Sequence, residues 1–340
     1  MPVERPLVIL RPQPVRPHRI FTPEAWQVLH ERYQVLDLSE DDSAEAFWEA
    51  LPDAVAVIGQ PDLPGDALVR AERLRVVLNV EGNFFPNVAY DVAHERGIYV
   101  LGCGPAYAPA VAEYSLGLAL DLCRGISRAD RLFRAGSEVY AADGCLDSIL
   151  LSRASVGFVG YGGLGRATHR LLEAFQPDLR VFDPWLPDSV VREAGATPAS
   201  LEDTLASSAV VFVFATVTAE STNLLGAEQL ALLPDGARLV VVSRAAVLDL
   251  EALVAEVRRG RILAAVDVWP EEPMPADAEV RRLDSLVLSA HRAGGIPQAL
   301  LSIGDMVLDD LAQIERGLPP ARMQVAAREL VGRYRNRPVT

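Results

Sequence analysis

Short apolar runs alternate with helix-like segments along the chain, and this alternation predicts its architecture. The runs that we interpret as buried strands are residues 7–10, 54–58, 74–78, 155–159, 179–182, 210–214, 239–242, 264–268 and 286–288. Helical patterns separate them, beginning with a helix that Thr22 and Pro23 would start and that extends to Glu31. Strands that alternate with helices indicate parallel sheets covered by helices on both faces.

Two such α/β series follow one another. The first ends in a long, mostly apolar helix over residues 111–123, and a polar, turn-rich passage over residues 137–152 comes next. We interpret that passage as the connection between two domains, which a chain of 340 residues is long enough to form. A last helix over residues 297–316 would return to the first domain.

Composition restricts the chemistry and the partners. All 32 Lys and Arg residues are arginines, which excludes Schiff-base catalysis and a phosphate-binding lysine. A formal net charge of -14 argues against nucleic acid and anionic membranes as partners, and no apolar run is long enough to span a bilayer. The start of the chain lacks a signal-peptide pattern, and Cys103, Cys123 and Cys145 show neither even pairing nor metal-ligand spacing. We therefore expect a cytoplasmic protein without a metal site.

A glycine-rich turn, GYGGLG, lies between a predicted strand and a predicted helix. Its glycines would permit a tight turn, a close backbone approach to a pyrophosphate, and close packing of helix on strand. The first N–H groups of the following helix would bind the phosphates. The predicted cofactor-binding residues of this turn are Gly160, Gly162, Gly163, Leu164 and Gly165.

Asp183 ends the next predicted strand. A carboxylate at this position accepts hydrogen bonds from ribose hydroxyls and repels a 2′-phosphate, so the sequence favours NAD over NADP. Two alternatives stay open: Arg166 could contact the phosphate of NADP, and the turn could be a glycine-rich turn that binds no ligand.

Arg244, Glu272 and His291 each follow the carboxyl end of a predicted strand. Such ends lie at one edge of a parallel sheet, where ligands bind. Arg binds a carboxylate through two hydrogen bonds, His exchanges a proton with a carbonyl or hydroxyl oxygen, and Glu orients the imidazole. Taken singly, each could be an ordinary surface or structural residue, but together beside a nicotinamide site they indicate hydride-transfer chemistry.

With these residues in place, the sequence resembles the D-isomer-specific 2-hydroxyacid dehydrogenase family over most of its length. The resemblance lies in the glycine-rich turn and in the segments AVAEYSLGLAL, SRAAVLDLEAL, DVWPEEP and SAHRAGG. It implies that Arg244, Glu272 and His291 are the catalytic residues. It also implies that Asp267 contacts the nicotinamide carboxamide.

The resemblance further implies that each chain folds into two Rossmann-like, doubly wound parallel-sheet domains. It also implies that two chains form a homodimer. The NAD-binding domain, residues 126–297, would be inserted within a substrate domain made of residues 1–125 and 298–340. The inferred partner is a small keto or hydroxy acid.

The expected substrate loop departs from the family pattern. Gly82, Asn83 and Phe84 fall where the family's backbone N–H groups bind a substrate carboxylate, but Phe84 replaces a glycine and would narrow or reshape the pocket. Arg292 stands beside His291 where an apolar residue is common, and it could bind a second anionic group of a dianionic substrate.

These observations predict an NAD-dependent oxidoreductase that interconverts a 2-keto acid and a D-2-hydroxy acid, with His291 as general acid and base. Two alternatives share the fold: an NAD-sensing, corepressor-like regulator and a phosphite-type dehydrogenase. The sequence leaves open which acid is the substrate, the physiological direction and the pathway.

Overall fold

The computed structural model describes residues 5–40 and 43–335. The chain divides into two compact units: a first unit of residues 1–107 and 295–340, and a second unit of residues 108–294. The domain limits expected from the sequence, 125/126 and 297/298, stay a prediction. The outer ends of the predicted substrate domain, residues 1–4 and 336–340, lie outside the described residues.

Strands and helices alternate through the described residues. The strands there are β1 Leu7–Arg11, β2 Gln34–Asp37, β3 Ala54–Gly59, β4 Val76–Asn79, β5 Tyr99–Gly102, β6 Ser155–Val159, β7 Asp178–Phe182, β8 Thr197–Pro198, β9 Val210–Val213, β10 Arg238–Val241, β11 Leu263–Val266, β12 Leu286–Leu288 and β13 Gln324–Val325. The helices there are α1 Pro17–Ile20, α2 Pro23–Arg32, α3 Ala44–Ala50, α4 Gly65–Arg70, α5 Tyr90–Glu95, α6 Gly104–Arg124, α7 Ile126–Arg134, α8 Gly163–Leu172, α9 Asp188–Glu193, α10 Leu201–Ala206, α11 Ala227–Leu232, α12 Leu250–Arg258, α13 Pro297–Glu315 and α14 Arg328–Val331.

Within the described residues, each unit contains one sheet. In the first unit the strand order is β13-β5-β4-β3-β1-β2, and the pairing is parallel except for β13, which pairs antiparallel with β5. In the second unit the order is β12-β11-β10-β9-β6-β7-β8, and the pairing is parallel throughout. The strand order reverses direction beside β1 and beside β6, as it does in doubly wound sheets. The predicted fold class is confirmed.

The predicted strands are all present, with ends that differ by a few residues. Thr22 is the N-cap of α2, where its hydroxyl accepts a hydrogen bond from the Ala25 N–H at 3.1 Å. The long apolar helix is longer than predicted, because α6 begins at Gly104 and includes Pro109. The interpretation of residues 137–152 as the connection between domains is wrong, because these residues lie inside the second unit.

The returning helix α13 completes the core of the first unit. Its buried side chains Leu300, Ile303 and Val307 pack with strand residues such as Val8 and Ile58. This contact confirms that the chain returns to the first α/β series after it has built the second unit. The first series is therefore discontinuous in sequence.

Candidate active site

The glycine-rich turn connects β6 to α8. Gly160 has a φ of +98°, which L side chains rarely adopt, and a Cβ atom there would lie 2.9 Å from the Ala215 nitrogen. A Cβ atom on Gly165 would lie 2.8 Å from the carbonyl oxygen of Gly160, so helix and turn can approach closely only without a side chain. These two glycines are required by the backbone geometry.

The outer side of the same turn is open. A Cβ atom on Gly162 or Gly163 would have nothing within 4 Å, and Gly162 is the N-cap of α8. Leu164 lies in the first turn of this helix, whose early N–H groups are available to an anion. The geometry fits the pyrophosphate of a dinucleotide.

Asp183 follows β7 and is tied to the turn. Its Oδ2 accepts a hydrogen bond from the Tyr161 N–H at 2.7 Å, and its Oδ1 accepts one from the Trp185 N–H at 3.0 Å. A carboxylate oxygen has two acceptor sites, so each can also accept a ribose hydroxyl. The position of Asp183 therefore suits the ribose contact that the sequence predicts.

Glu272 and His291 form a hydrogen-bonded pair. The Nδ1 atom of His291 lies 2.7 Å from Oε2 of Glu272, and both side chains are only partly exposed, at 27% and 29%. The other carboxylate oxygen of Glu272 accepts the Trp269 N–H at 2.8 Å. Since an ionised carboxylate is an acceptor, Nδ1 carries the proton and Nε2 is left for a substrate.

Asp267 holds the backbone of this histidine and of the two residues that follow it. Its fully buried carboxylate accepts the N–H groups of Arg292 at 2.9 Å and Ala293 at 3.0 Å. Its carbonyl oxygen accepts the His291 N–H at 2.7 Å. His291 has a φ of +50°, a left-handed conformation that residues other than glycine adopt infrequently, and these bonds stabilise the turn.

Arg244, Asp267 and His291 follow the carboxyl ends of β10, β11 and β12, which are neighbours in the second sheet. Arg244 has extended backbone, and its Nη1 donates to the carbonyl oxygen of Ser243 at 2.7 Å. The adjacent Arg292 is exposed. Two of the three predicted catalytic residues, Arg244 and His291, thus lie at one edge of one sheet, and the third, Glu272, is hydrogen-bonded to His291.

The predicted substrate loop lies in the first unit, after β4. Asn79 shapes it, because its Nδ2 donates to the Asn83 carbonyl at 3.0 Å and its Oδ1 accepts the Glu81 N–H at 2.7 Å. Gly82 and Asn83 are partly exposed.

Phe84, by contrast, is 4% exposed and packs in the core of the first unit. A Cβ atom on Gly102 would lie 3.2 Å from the Phe84 ring, so Gly102 makes room for it. The phenyl ring thus occupies core volume beneath the loop.

Sequence reasoning missed two residues that organise these loops, Asn79 and Trp269. Trp269 is buried, and its indole Nε1–H donates to the Ser289 carbonyl at 2.7 Å. A buried tryptophan needs a hydrogen-bond acceptor for its indole N–H. A tryptophan directly after a predicted buried strand was therefore the sequence signal that could have identified Trp269. Among the described residues, no group of His, Cys, Asp and Glu side chains could hold a metal ion. Every described helix is too short or too polar to cross a bilayer.

Comparisons with known proteins agree with this geometry. Residues 116–293 match the family model for the D-isomer specific 2-hydroxyacid dehydrogenase, NAD binding domain. A crystal structure described as a phosphoglycerate oxidoreductase from Rhizobium etli is 44% identical, with a TM-score of 0.86, and the match covers 95% of this chain and 99% of that chain.

Two curated relatives are more distant. The D-3-phosphoglycerate dehydrogenase of Archaeoglobus fulgidus is 26% identical over 78% of this chain, and the match spans only 50% of that relative's length. The glyoxylate reductase of Thermofilum pendens is 28% identical over 79% of this chain and 80% of the relative.

The fold, the nucleotide turn and these matches define the class of protein: an NAD-dependent oxidoreductase acting on 2-hydroxy acids. The chain belongs to the D-isomer specific 2-hydroxyacid dehydrogenase family, as the sequence predicts.

Proposed function

We propose that this protein interconverts a 2-keto acid and the corresponding D-2-hydroxy acid, with His291 as general acid and base. The observation that carries the proposal is the 2.7 Å contact between His291 Nδ1 and Glu272. A carboxylate on Nδ1 orients the ring and leaves Nε2 to exchange a proton with the substrate oxygen.

The nucleotide turn and Asp183 would hold NAD through its pyrophosphate and ribose. When bound, the nicotinamide supplies or takes the hydride. In reduction, Nε2 of His291 gives its proton to the carbonyl oxygen, and in oxidation it takes the proton from the hydroxyl. Arg244 would bind the substrate carboxylate through its guanidinium. We propose the loop of Gly82, Asn83 and Phe84 as a second binding element for that carboxylate, and Asp267 as the contact of the nicotinamide carboxamide.

The test is a screen for NADH oxidation over keto acids, followed by His291→Ala with the best substrate. We expect kcat to fall by about 10²–10⁴-fold, the usual contribution of general acid–base catalysis, while NADH affinity stays near wild type. His18→Ala, which removes an exposed histidine of the first unit, is the matched control. Full activity in His291→Ala would contradict the assignment.

Glu272→Gln tests the same assignment independently. The variant keeps the size of the side chain but replaces the charged partner of His291 Nδ1 with a neutral amide, so kcat should fall in both directions while NADH affinity stays near wild type. An unchanged kcat would show that the charge of Glu272 does not contribute to the proton transfer.

A phosphorylated substrate is a second candidate, supported by the exposed Arg292 beside His291 and by the name of the Rhizobium etli relative. Asp267 fixes the backbone N–H of Arg292, so the guanidinium extends from a defined point. We expect Arg292→Ala to raise the KM of a phosphorylated keto acid more than that of glyoxylate. Equal KM values before and after the substitution would exclude this role.

The two alternatives on the same fold make different predictions. An NAD-sensing regulator would bind NADH without oxidising it in the presence of any keto acid, and a phosphite-type dehydrogenase would reduce NAD with phosphite. Retention of Arg244, Glu272 and His291 supports turnover, because a sensor requires only the nucleotide site.

We also propose that the active form is a cytoplasmic homodimer. Large apolar side chains are exposed in one stretch of the second unit: Ile126, Phe133, Val139, Tyr140, Leu146 and Leu150, with Leu146 85% exposed. A second copy of the chain would cover them. Unpaired Cys103, Cys123 and Cys145 are consistent with a reducing compartment.

A further inference from the structure

We propose that Trp269 is a positioning residue that keeps Glu272 and His291 at hydrogen-bonding distance. It does so through two separate donors, its backbone N–H and its indole N–H. The inference rests on the proposed function, because it concerns the proton transfer assigned to His291. Trp269 follows β11, three residues before Glu272. Its backbone N–H and its indole N–H donate to the segments that carry the two partners of the pair.

The first donor orients the carboxylate. The Trp269 N–H binds Oε1 of Glu272 at 2.8 Å, and Oε2 then faces Nδ1 of His291 at 2.7 Å. With one oxygen fixed by the backbone, the carboxyl plane cannot rotate freely, so the second oxygen stays directed at the imidazole. The carboxylate is thereby preorganised for the histidine.

The second donor fixes the segment that precedes the histidine. The indole Nε1–H of Trp269 binds the carbonyl oxygen of Ser289 at 2.7 Å, two residues before His291. From the other side, the hydroxyls of Ser289 and Tyr114 lie 2.5 Å apart. Since the Trp269 side chain is 8% exposed and packs in the core of the second unit, it is a rigid anchor.

The indole hydrogen bond of Trp269 stabilises the backbone segment that leads to His291. His291 has a φ of +50°, and Asp267 holds it from one side through the N–H groups at residues 291, 292 and 293. Trp269 holds the other end, where the chain leaves β12. The charged or titratable groups that bond to this segment or adjoin it include Glu272 on Nδ1, Asp267, the adjacent Arg292, and Tyr114, whose hydroxyl contacts Ser289. Arg244 lies at the same edge of the sheet.

Trp269→Phe tests the indole donor, because phenylalanine keeps an aromatic ring but removes the N–H. We expect kcat to fall by about tenfold, the effect of one neutral hydrogen bond, with unchanged affinity for NADH. The KM of the keto acid should stay near wild type, because the backbone N–H of residue 269 still binds Glu272 and only the segment that carries the imidazole loses a contact. Trp48→Phe, on an exposed tryptophan of the first unit, is the matched control.

A purely structural tryptophan would give a different result. Trp269→Phe would then lower the melting temperature but keep the wild-type kcat, and the proposal would be overturned. If Trp269→Phe does not fold, Tyr114→Phe removes the other contact of Ser289 and should lower kcat as well, by a smaller factor. A wild-type kcat in that variant would then overturn the proposal.

The outcome for His291→Ala separates this inference from the function on which it rests. Full activity in His291→Ala refutes the acid–base assignment itself. Loss of activity in His291→Ala together with wild-type kinetics in Trp269→Phe refutes only the role of Trp269.

Discussion

The choice between NAD and NADP should depend on the side chain of Asp183. Its carboxylate lies beside the nucleotide turn, where it accepts the Tyr161 N–H. Asp183→Ala removes an acceptor for the ribose hydroxyls and a charge that repels a 2′-phosphate, each worth about 1–3 kcal/mol for a charged partner. We expect weaker NADH binding and a lower ratio of kcat/KM for NADH over NADPH. An unchanged ratio would show that Asp183 stabilises the turn but does not select the cofactor.

His169 should make the second unit sensitive to mild acid. Its Nδ1 lies 2.6 Å from the Tyr161 hydroxyl, and burial lowers the pKa of His169 below its ordinary value of 6.5, while Glu173 acts in the opposite direction. Below pH 6.5 the unfolded chain therefore binds a proton that the folded chain resists. The resulting contribution to stability is complete above that pH and is lost as pH falls through the lowered pKa.

The measurement is the melting temperature of wild type and His169→Gln between pH 8 and about pH 5, the range in which histidine titrates. We expect the wild type to lose more stability on acidification than the variant, because glutamine can still accept from Tyr161 but does not titrate. His18→Gln is the control for an exposed histidine. Parallel curves for wild type and His169→Gln would show that this histidine is not linked to folding.

Among the helices, α13 depends on a close approach that a single methyl group would prevent. A Cβ atom on Gly304 would lie 2.6 Å from the Ile20 carbonyl oxygen and 2.8 Å from Cδ1 of Phe21. Gly304→Ala should destabilise the protein by about 1–3 kcal/mol, the usual cost of overpacking. The measurement is chemical denaturation.

Gly117 in α6 is the matched control, because a Cβ atom there has nothing within 4 Å outside its own helix. Gly117→Ala should stabilise the protein by about 0.5–1 kcal/mol, since alanine favours the helix. The same type of substitution should thus lower the free energy of unfolding in α13 and raise it in α6. Equal effects would mean that tertiary contact does not decide the outcome at Gly304.

For the assembly, the exposed apolar stretch predicts where a second copy binds. Phe133 is 63% and Leu146 is 85% exposed, and both lie in the stretch that begins at Ile126. Phe133→Asp and Leu146→Asp should shift the protein from dimer to monomer in light scattering, because a buried unpaired charge is costly in an interface.

Val69→Asp, on a 61% exposed valine of α4, should leave the dimer intact. If the two variants in the stretch also remain dimeric, the interface lies elsewhere. A monomeric wild type would refute the homodimer itself.

Much of the fold follows from local pattern in this chain. Buried strands such as β6 and β9 are continuous apolar runs, because both faces of a parallel sheet are covered. Of the four described strands that were not predicted, three lack that pattern: β2 is partly exposed at the sheet edge, and β8 and β13 are only two residues long. Such a short or exposed strand is specified by the neighbour with which it pairs. The fourth, β5, is a mostly buried apolar run that the sequence analysis missed.

At the candidate active site, the features set by local sequence differ clearly from those set by tertiary structure. Local sequence determined the nucleotide turn and its glycines, because a tight turn between strand and helix allows few other residues. Only the tertiary structure determined that Asp267 and Trp269 brace the histidine segment and that the Phe84 ring enters the core against Gly102. Those partners are far apart along the chain, 20 residues for Trp269 and Ser289 and 175 for Tyr114 and Ser289. A hydrogen bond depends on the positions of both groups in space, and only the packing of the sheet and helices brings these pairs together.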